Sequence, residues 1–316
     1  MKSVNQFLSL TKTGLYCPAG DFYLDPRRGV HRALISHAHG DHAVPHNGHI
    51  YCTAPTQSIM LHRMGANLFS QYHPVEYGKS FRINDVDVTF YPAGHMLGSA
   101  QILMEYDGEK YLYTGDFKVQ KDESCEPFET LKCDYLVTET TFASPEYIHP
   151  DPDQQILSLT ESNVSVLIGA YAVGKAQRLT KMITRLLPEL PVYVHPEIVA
   201  YHRIYEQHGY SLGNWKPYRR ADFKAEEKCI YILSPNHFTR FSRQKNVLKV
   251  FATGWKKPYF ACDGVLSVSD HADWNDVLKL VKDSGAKHIF TVHGDGHHLK
   301  EHLTGSNIEV SILDER

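Results

Sequence analysis

Three imidazoles and a carboxylate fall within six residues of this chain, in His37-Ala38-His39-Gly40-Asp41-His42. The cluster follows the apolar run Ala33-Leu34-Ile35, so it stands at the end of a strand-like segment. Histidines two apart on an extended or tightly turning backbone can point to one side and grip one cation. Asp41 and His42 then face a second position. Imidazole with carboxylate suits zinc, with manganese or iron as alternatives. A purely structural role does not easily explain so dense a cluster.

The pattern repeats along the chain. His95 follows Val88-Thr89-Phe90-Tyr91-Pro92-Ala93-Gly94, Asp116 follows Tyr111-Leu112-Tyr113-Thr114-Gly115, and His293 follows Ile289-Phe290-Thr291-Val292. A glycine adjoins each of the three, letting the backbone turn sharply or approach closely. Side chains at the ends of neighbouring strands can converge although they are distant in sequence. Read singly, His95 or His293 is an ordinary core or surface histidine. Read with residues 37–42, they complete about the ligand number that two cations need. The chain has 20 histidines in 316 residues, and most are expected to be plain surface residues.

Other candidates are weaker. His297, His298 and His302 lack the His-Glu-x-x-His order and read as a solvated terminal helix. Tyr210, Trp215, Tyr218, Phe223, Phe238 and Phe241 could stack on bases, but core packing explains each of them equally well.

Apolar residues make up 42% and charged residues 22%, which fits a soluble globular protein. No apolar run approaches the ~20 residues of a membrane span. The start, MKSVNQFLSL, does not read as a secretory signal. Cys17, Cys52, Cys125, Cys133, Cys229 and Cys262 form no Cys-x-x-Cys pair, which fits free thiols and a cytoplasmic location. The net charge of −3 is uninformative, but its distribution is not. Lys216–Lys257 holds eleven Lys/Arg against three Asp/Glu, a balance of +8, and Cys229–Lys257 contains no acid. That is either a solvated basic face or the footprint of a phosphate-backbone binder.

Short β-rich runs recur at 22–24, 33–36, 86–91, 102–106, 111–114, 135–138, 164–170, 230–234, 249–253, 289–292 and 308–313. Asp107-Gly108 signals a tight hairpin. Lys175–Leu187 places Ala176, Leu179, Ile183 and Leu186 on one helical stripe. Trp274–Ser284 reads as a second helix, with Asp273 as N-cap and Gly285 as stop. Strands mixed with helices imply an α/β layered architecture.

The successive motifs HAHGDH, AGHMLGSA and YTGDF resemble those of the metallo-β-lactamase superfamily. Glu139 in Val137-Thr138-Glu139-Thr140-Thr141-Phe142, His271 in Ser269-Asp270-His271-Ala272-Asp273 and His293 in Thr291-Val292-His293-Gly294-Asp295 resemble motifs of its β-CASP nucleases. The resemblance runs to about residue 300. It implies an αββα sandwich in two parts, residues 1–143 and 256–316, with an inserted β-CASP cassette, residues 144–255, shorter than in most members. It implies one metal held by His37, His39 and His95, another by Asp41, His42 and His293, and Asp116 bridging them. Asp25 would support the ligands. His271 would be the general acid, oriented by Glu139, and Asp41 would serve catalysis through its metal.

Val173-Gly174-Lys175-Ala176-Gln177-Arg178-Leu179 resembles the family's Gly-Arg-Ala-Gln helix start, with Lys175 replacing the arginine and losing its bidentate fork. A glycine leading into a basic helix N-terminus suits a phosphate, so Lys175 and Arg178 are expected on substrate. Arg240, Arg243, Lys245 and Lys249 are expected there too.

The opening segment, Thr13–Pro26, resembles bacterial exonucleases associated with DNA ligases. The implied activity is phosphodiester hydrolysis by a hydroxide shared between two metals, on DNA in repair, in functional association with a DNA ligase and helicase. His293 favours the alternative of RNA 3′-end processing, because RNA-processing eukaryotic members carry His there and DNA-repair members often carry Val. Two rivals are a small-molecule hydrolase on the same metals, which the basic segment disfavours, and a non-catalytic binding paralogue, which would have lost ligands.

Overall fold

The computed structural model describes residues 3–65, 70–219, 228–241, 244–257 and 261–313. The chain divides into two compact units. The first comprises 1–121, 126–148 and 271–316, and the second 122–125 and 149–270.

The first unit holds two seven-stranded sheets. One runs in chain order through β1 (Ser3–Val4), β2 (Leu8–Thr11), β3 (Gly14–Cys17), β4 (Phe22–Leu24), β5 (Arg32–Leu34), β6 (His49–Thr53) and β7 (Gln71–Val75). Helix α1 (Ala54–Met64) follows β6, and Thr53 caps it by accepting from Thr56 N. The second sheet contains β8 (Phe81–Ile83), β9 (Val86–Pro92), β10 (Ala100–Tyr106), β11 (Glu109–Tyr113) and β12 (Tyr135–Thr140). Beyond β12 lie β19 (His288–Gly294) and β20 (Glu309–Ile312), so the returning chain completes this sheet.

Both faces of the second sheet are covered, which explains its unbroken apolar runs. On β10, Ile102 and Met104 face a core shared with Leu8, Phe22, Leu24 and Leu34 of the first sheet. Leu103, between them, faces the opposite way with Leu112, Leu136 and Ile289. There it meets Trp274, Val277, Leu280 and Val281 of α6 (Trp274–Ser284) and Leu299 of α7 (His297–His302). With α1 beyond the first sheet, this is the expected αββα sandwich. Asp107 and Gly108 take left-handed φ of 51° and 79° in the hairpin between β10 and β11. All six cysteines are free.

The second unit is a six-stranded parallel sheet in the order β15 (Trp215–Pro217), β14 (Val192–Val194), β16 (Ile230–Leu233), β13 (Ser165–Gly169), β17 (Val247–Ala252), β18 (Gly264–Leu266). Its helices are α2 (Pro152–Leu157), α3 (Lys175–Leu186), α4 (Pro196–Gln207) and the short α5 (Pro235–Phe238). The stripe Ala176, Leu179 and Ile183 of α3 packs on Val166, Ile168, Val194 and Ile232. The insert runs to Asp270 rather than to 255, because β18 pairs in parallel with β17 and extends its sheet.

Candidate metal centre

The parallel pair β4–β5 aligns Tyr23 with Ala33 and Leu24 with Leu34. The residues just past both strands therefore meet. Asp25 takes a left-handed φ of 39° and accepts from Ser36 N at 2.7 Å and from the Tyr113 hydroxyl at 3.0 Å. Its Oδ2 lies 2.8 Å from His42 Nδ1. That contact fixes the His42 tautomer and turns Nε2 inward, the arrangement by which carboxylates orient metal-binding histidines.

Asp116 stands at the middle of the site, nearly buried, with one oxygen toward each of two histidine groups. Its Oδ2 lies 3.5 Å from His37 Nε2 and 3.9 Å from His95 Nε2. Its Oδ1 lies 3.4 Å from His42 Nε2. His39 Nδ1 is 3.1 Å from His37 Nε2 and 3.0 Å from His95 Nε2. Donor atoms of His37, His39, His95 and Asp116 all lie within 4.8 Å of one another. On the other side, Asp41 Oδ2 is 3.7 Å from His42 Nε2, and the His293 ring lies 4.8 Å from that of His42, tilted by 34°.

His293 gets there through backbone irregularity. β12 and β19 pair Glu139 with Val292 and then Thr140 with Gly294, leaving His293 as the extra residue of a bulge with φ 51°. Gly294 allows this close approach, since a Cβ there would sit 2.4 Å from Thr140 O.

A cation fits this donor set better than protons do. His37 Nε2 and His95 Nε2 both converge on His39 Nδ1, which offers a single lone pair or a single proton, whereas a cation can take a lone pair from each ring. Burial holds His37 well below the usual imidazole range, helped by His42. Burial also disfavours protonated His42, but Asp116, Asp25 and Asp41 outweigh it and raise that group to about 10. Burial likewise works against an ionised Asp116, yet His42, His37, His271 and His95 hold it well below the usual carboxylate range.

Beside this centre, His271 Nδ1 is 2.8 and 3.0 Å from the two oxygens of Glu139. Glu139 is itself held by Phe117 N at 2.8 Å and the Thr141 hydroxyl at 2.5 Å. The His271 ring lies 4.9 Å from that of His95 and its side chain is 26% exposed, so it borders both the centre and solvent.

Several supporting residues lie within the recognisable motifs or at their margins. Ser36 and Tyr113 hold Asp25, and Ser99 Oγ caps the His95 loop by accepting from His95 N and Met96 N, each at 3.1 Å. Lys118, fully buried, donates to His95 O at 3.3 Å. Tyr113 and Ser99 lie within the YTGDF and AGHMLGSA motifs and Ser36 and Lys118 adjoin motifs, but nothing in the sequence shows which group each of them holds.

Lys175 and Arg178 do not face a substrate, contrary to expectation. Lys175 Nζ donates to Val268 O at 2.6 Å and lies 3.1 Å from Asp270 Oδ1. Arg178 donates to Ser269 O and pairs with Asp270 at 3.5 Å and Asp122 at 3.6 Å. Both are buried, because the two carboxylates neutralise them inside the unit. Arg243 lies outside the described residues. Arg240 is exposed beyond the C-terminal end of β16, whereas Lys245 is exposed before β17 begins. In a parallel sheet those are opposite edges. Lys249 lies within β17, its Nζ 3.4 Å from Gln244 O. Tyr218, Phe238 and Phe241 pack in the core, Trp215 is partly buried, and Phe223 lies outside the described residues. His297, His298 and His302 are exposed on α7.

Residues 20–169 match the β-lactamase superfamily domain, and residues 264–313 match the Zn-dependent metallo-hydrolase RNA specificity domain. A probable DNA ligase of Opitutus terrae is 32% identical over 96% of this chain and 30% of its own length. An RNase J-like protein of Methanocaldococcus jannaschii is 31% identical over 60% of this chain and 52% of its own. A DNA cross-link repair protein SNM1 of Arabidopsis thaliana is 27% identical over 47% of this chain and 34% of its own. This chain thus spans about half or less of the length of these relatives. A crystal structure of a protein of unknown function from Enterococcus faecalis shares the fold, with a TM-score of 0.57, 14% identity, and coverage of 88% of this chain and 78% of that one. Fold, centre and domain matches together define a metallo-β-lactamase fold. Within that superfamily, the chain belongs to the β-CASP family.

Proposed function

We propose that this protein is a metal-dependent phosphodiesterase of nucleic acid, acting as a DNA exonuclease in repair. The observation that carries the reading is Asp116, with His37 and His95 at one oxygen, His42 at the other, and the His271–Glu139 pair beside it. His37, His39 and His95 would hold one divalent cation, and Asp41, His42 and His293 the other, with Asp116 shared. Zinc fits this donor set, with manganese or iron as alternatives. Two such cations supply Lewis-acid polarisation of a phosphodiester and activation of water.

The chain's own residues supply the rest. Asp25 keeps the His42 ring aimed inward. Glu139 accepts the His271 Nδ1 proton and raises the basicity of Nε2, which can then carry a proton to the leaving oxygen. Asp41, at the exposed rim, serves catalysis as a ligand. Arg240, Lys245 and Lys249 offer positive charge for phosphates away from the scissile bond.

DNA is favoured because a probable DNA ligase matches nearly the full chain. The same match supports functional association with a DNA ligase; association with a helicase and a cytoplasmic location rest on the sequence alone. Among the described residues, no helix is long and apolar enough to cross a membrane, and no membrane role is proposed. RNA processing is the second reading, favoured by the RNA specificity domain at 264–313 and the RNase J-like relative. End-labelled single- and double-stranded DNA and RNA, incubated with zinc or manganese, distinguish the two. Stepwise shortening of DNA alone is expected. Cleavage of RNA alone selects the second reading, and no hydrolysis of either polymer ends both. His271→Ala should lower turnover roughly 10²–10⁴-fold while metal content stays normal. Loss of metal in that variant would make His271 a ligand instead.

A further inference from the structure

The second unit carries another group of ligand-type side chains, and the proposed hydrolysis uses none of them. His195 ends β14 and stands as N-cap of α4, Glu197 lies in the first turn of α4, and His237 lies in α5, which follows β16. β14 and β16 are neighbours in parallel register, Val194 opposite Ile232. Residues just past the two strands therefore arrive at one edge of the sheet, as the ligands of the first centre do past β4 and β5.

The contacts are close. One donor atom from each of His195, Glu197 and His237 lies within 4.8 Å of the others. His237 Nδ1 is 2.9 Å from Glu197 Oε2, and the two imidazoles stack with centroids 3.8 Å apart and planes at 29°. Ser234 Oγ donates to the same Glu197 oxygen at 2.6 Å and fixes the carboxylate. His195 Nδ1 accepts from Glu197 N at a long 3.3 Å, so it is unprotonated, and a cation at that nitrogen would have to displace this weak cap.

We propose that His195, Glu197 and His237 form a further zinc site, with a fourth position open to solvent. Two imidazoles and one carboxylate are a recurring three-ligand zinc set, and three protein ligands leave a place for water or an anionic oxygen. A ring proton on His237 Nδ1 satisfies Glu197 alone, whereas one cation would engage both rings and the carboxylate. The hydrogen bond from Ser234 is the kind of outer contact that orients a ligating carboxylate. Arg240 is the nearby cation whose charge reaches His195 and opposes a divalent ion; Glu197 favours one.

The test is zinc stoichiometry of the full chain after dialysis against chelator and reloading, read by elemental analysis and cobalt substitution. Wild type should hold three equivalents. His237→Ala and Glu197→Gln should each hold two, with hydrolysis of a small phosphodiester unchanged. The double variant His37→Ala/His42→Ala, which disrupts the first centre, should keep one equivalent and a cobalt spectrum that His237→Ala removes. Equal zinc content in wild type and both insert variants overturns the site. Glu197→Gln decides alone if His237→Ala fails to fold. Loss of activity in the His37/His42 variant with an equivalent retained bears on the first centre, so the two readings fail separately.

Discussion

Arg178 is 1% exposed, among the largest fully buried side chains, and its partners explain why it can be there. Asp270 lies 92 residues away in sequence, so the helix motif shows the charge and hides its partner. That is why a basic helix start reads as a phosphate site while the folded chain uses it as an internal clamp. Removing one partner of a buried ionic cluster leaves the other charge uncompensated, which costs about 3–5 kcal/mol. Arg178→Ala removes the buried cation beside Asp122, which keeps its hydrogen bonds from Ser124, while Lys175 still serves Asp270. A loss of about 3 kcal/mol is expected in denaturant unfolding, and a change below about 0.5 kcal/mol would show that the clamp contributes nothing. The proposed metal ligands were legible for the opposite reason. Each ends an apolar run, so its strand-end position can be read locally, and only the pairing of strands was missing.

Legibility followed burial at the scale of elements. β9, β10, β11 and β12 are buried on both faces and appear as apolar runs in the sequence. The strands β1 to β3 pair in a meander of two to four residues each, and the half-buried polar positions of β2 dilute that signal. Helix α4 buries His202 beside Ile198, Ile204 and Tyr205, and a polar residue on the inner face interrupts the apolar stripe that would mark a helix in the sequence. His202 is satisfied there, with Nε2 2.8 Å from Thr180 Oγ1 and Nδ1 3.1 Å from Gln177 Nε2. Helix α6 was readable end to end. Asp273 accepts from Asp276 N at 3.1 Å and Gly285 closes the helix at φ 72°. Because α6 forms the outer layer behind β12 and β19, losing its cap should loosen the whole unit. Asp273→Ala should cost about 1 kcal/mol, the usual value for an N-cap. Asp273→Asn or Asp273→Ser should recover most of it. An alanine variant with an unchanged melting temperature would show that tertiary packing alone holds this helix.

At the scale of the molecule, stability, protons and metal are linked through the centre. Without metal, His42 is held protonated to about 10, above its unfolded value near 6.5. Its stabilising contribution is complete below 6.5 and is lost as pH rises toward 10. His37 has the opposite sign, because burial keeps it well below 6.5. Its contribution is present above 6.5 and is lost as pH falls, since only the unfolded state then takes up the proton. The chelated protein should therefore be most stable near pH 6.5 and weaken on both sides. A metal ligand must be free of its proton, so bound cations compete with protons and bind more tightly as pH rises. Ligand binding to the native state alone stabilises by roughly 4 kcal/mol at a thousand times the dissociation constant. The gap in melting temperature between loaded and chelated protein should widen steadily from pH 6.5 to about 9. Matched thermal scans in chelator and in buffered zinc measure it directly. A gap that stays constant or narrows over that range would mean that the His42–Asp116 group is not where the metal binds. His42→Ala should then behave like wild type; if the centre is as described, it should abolish most of the pH dependence.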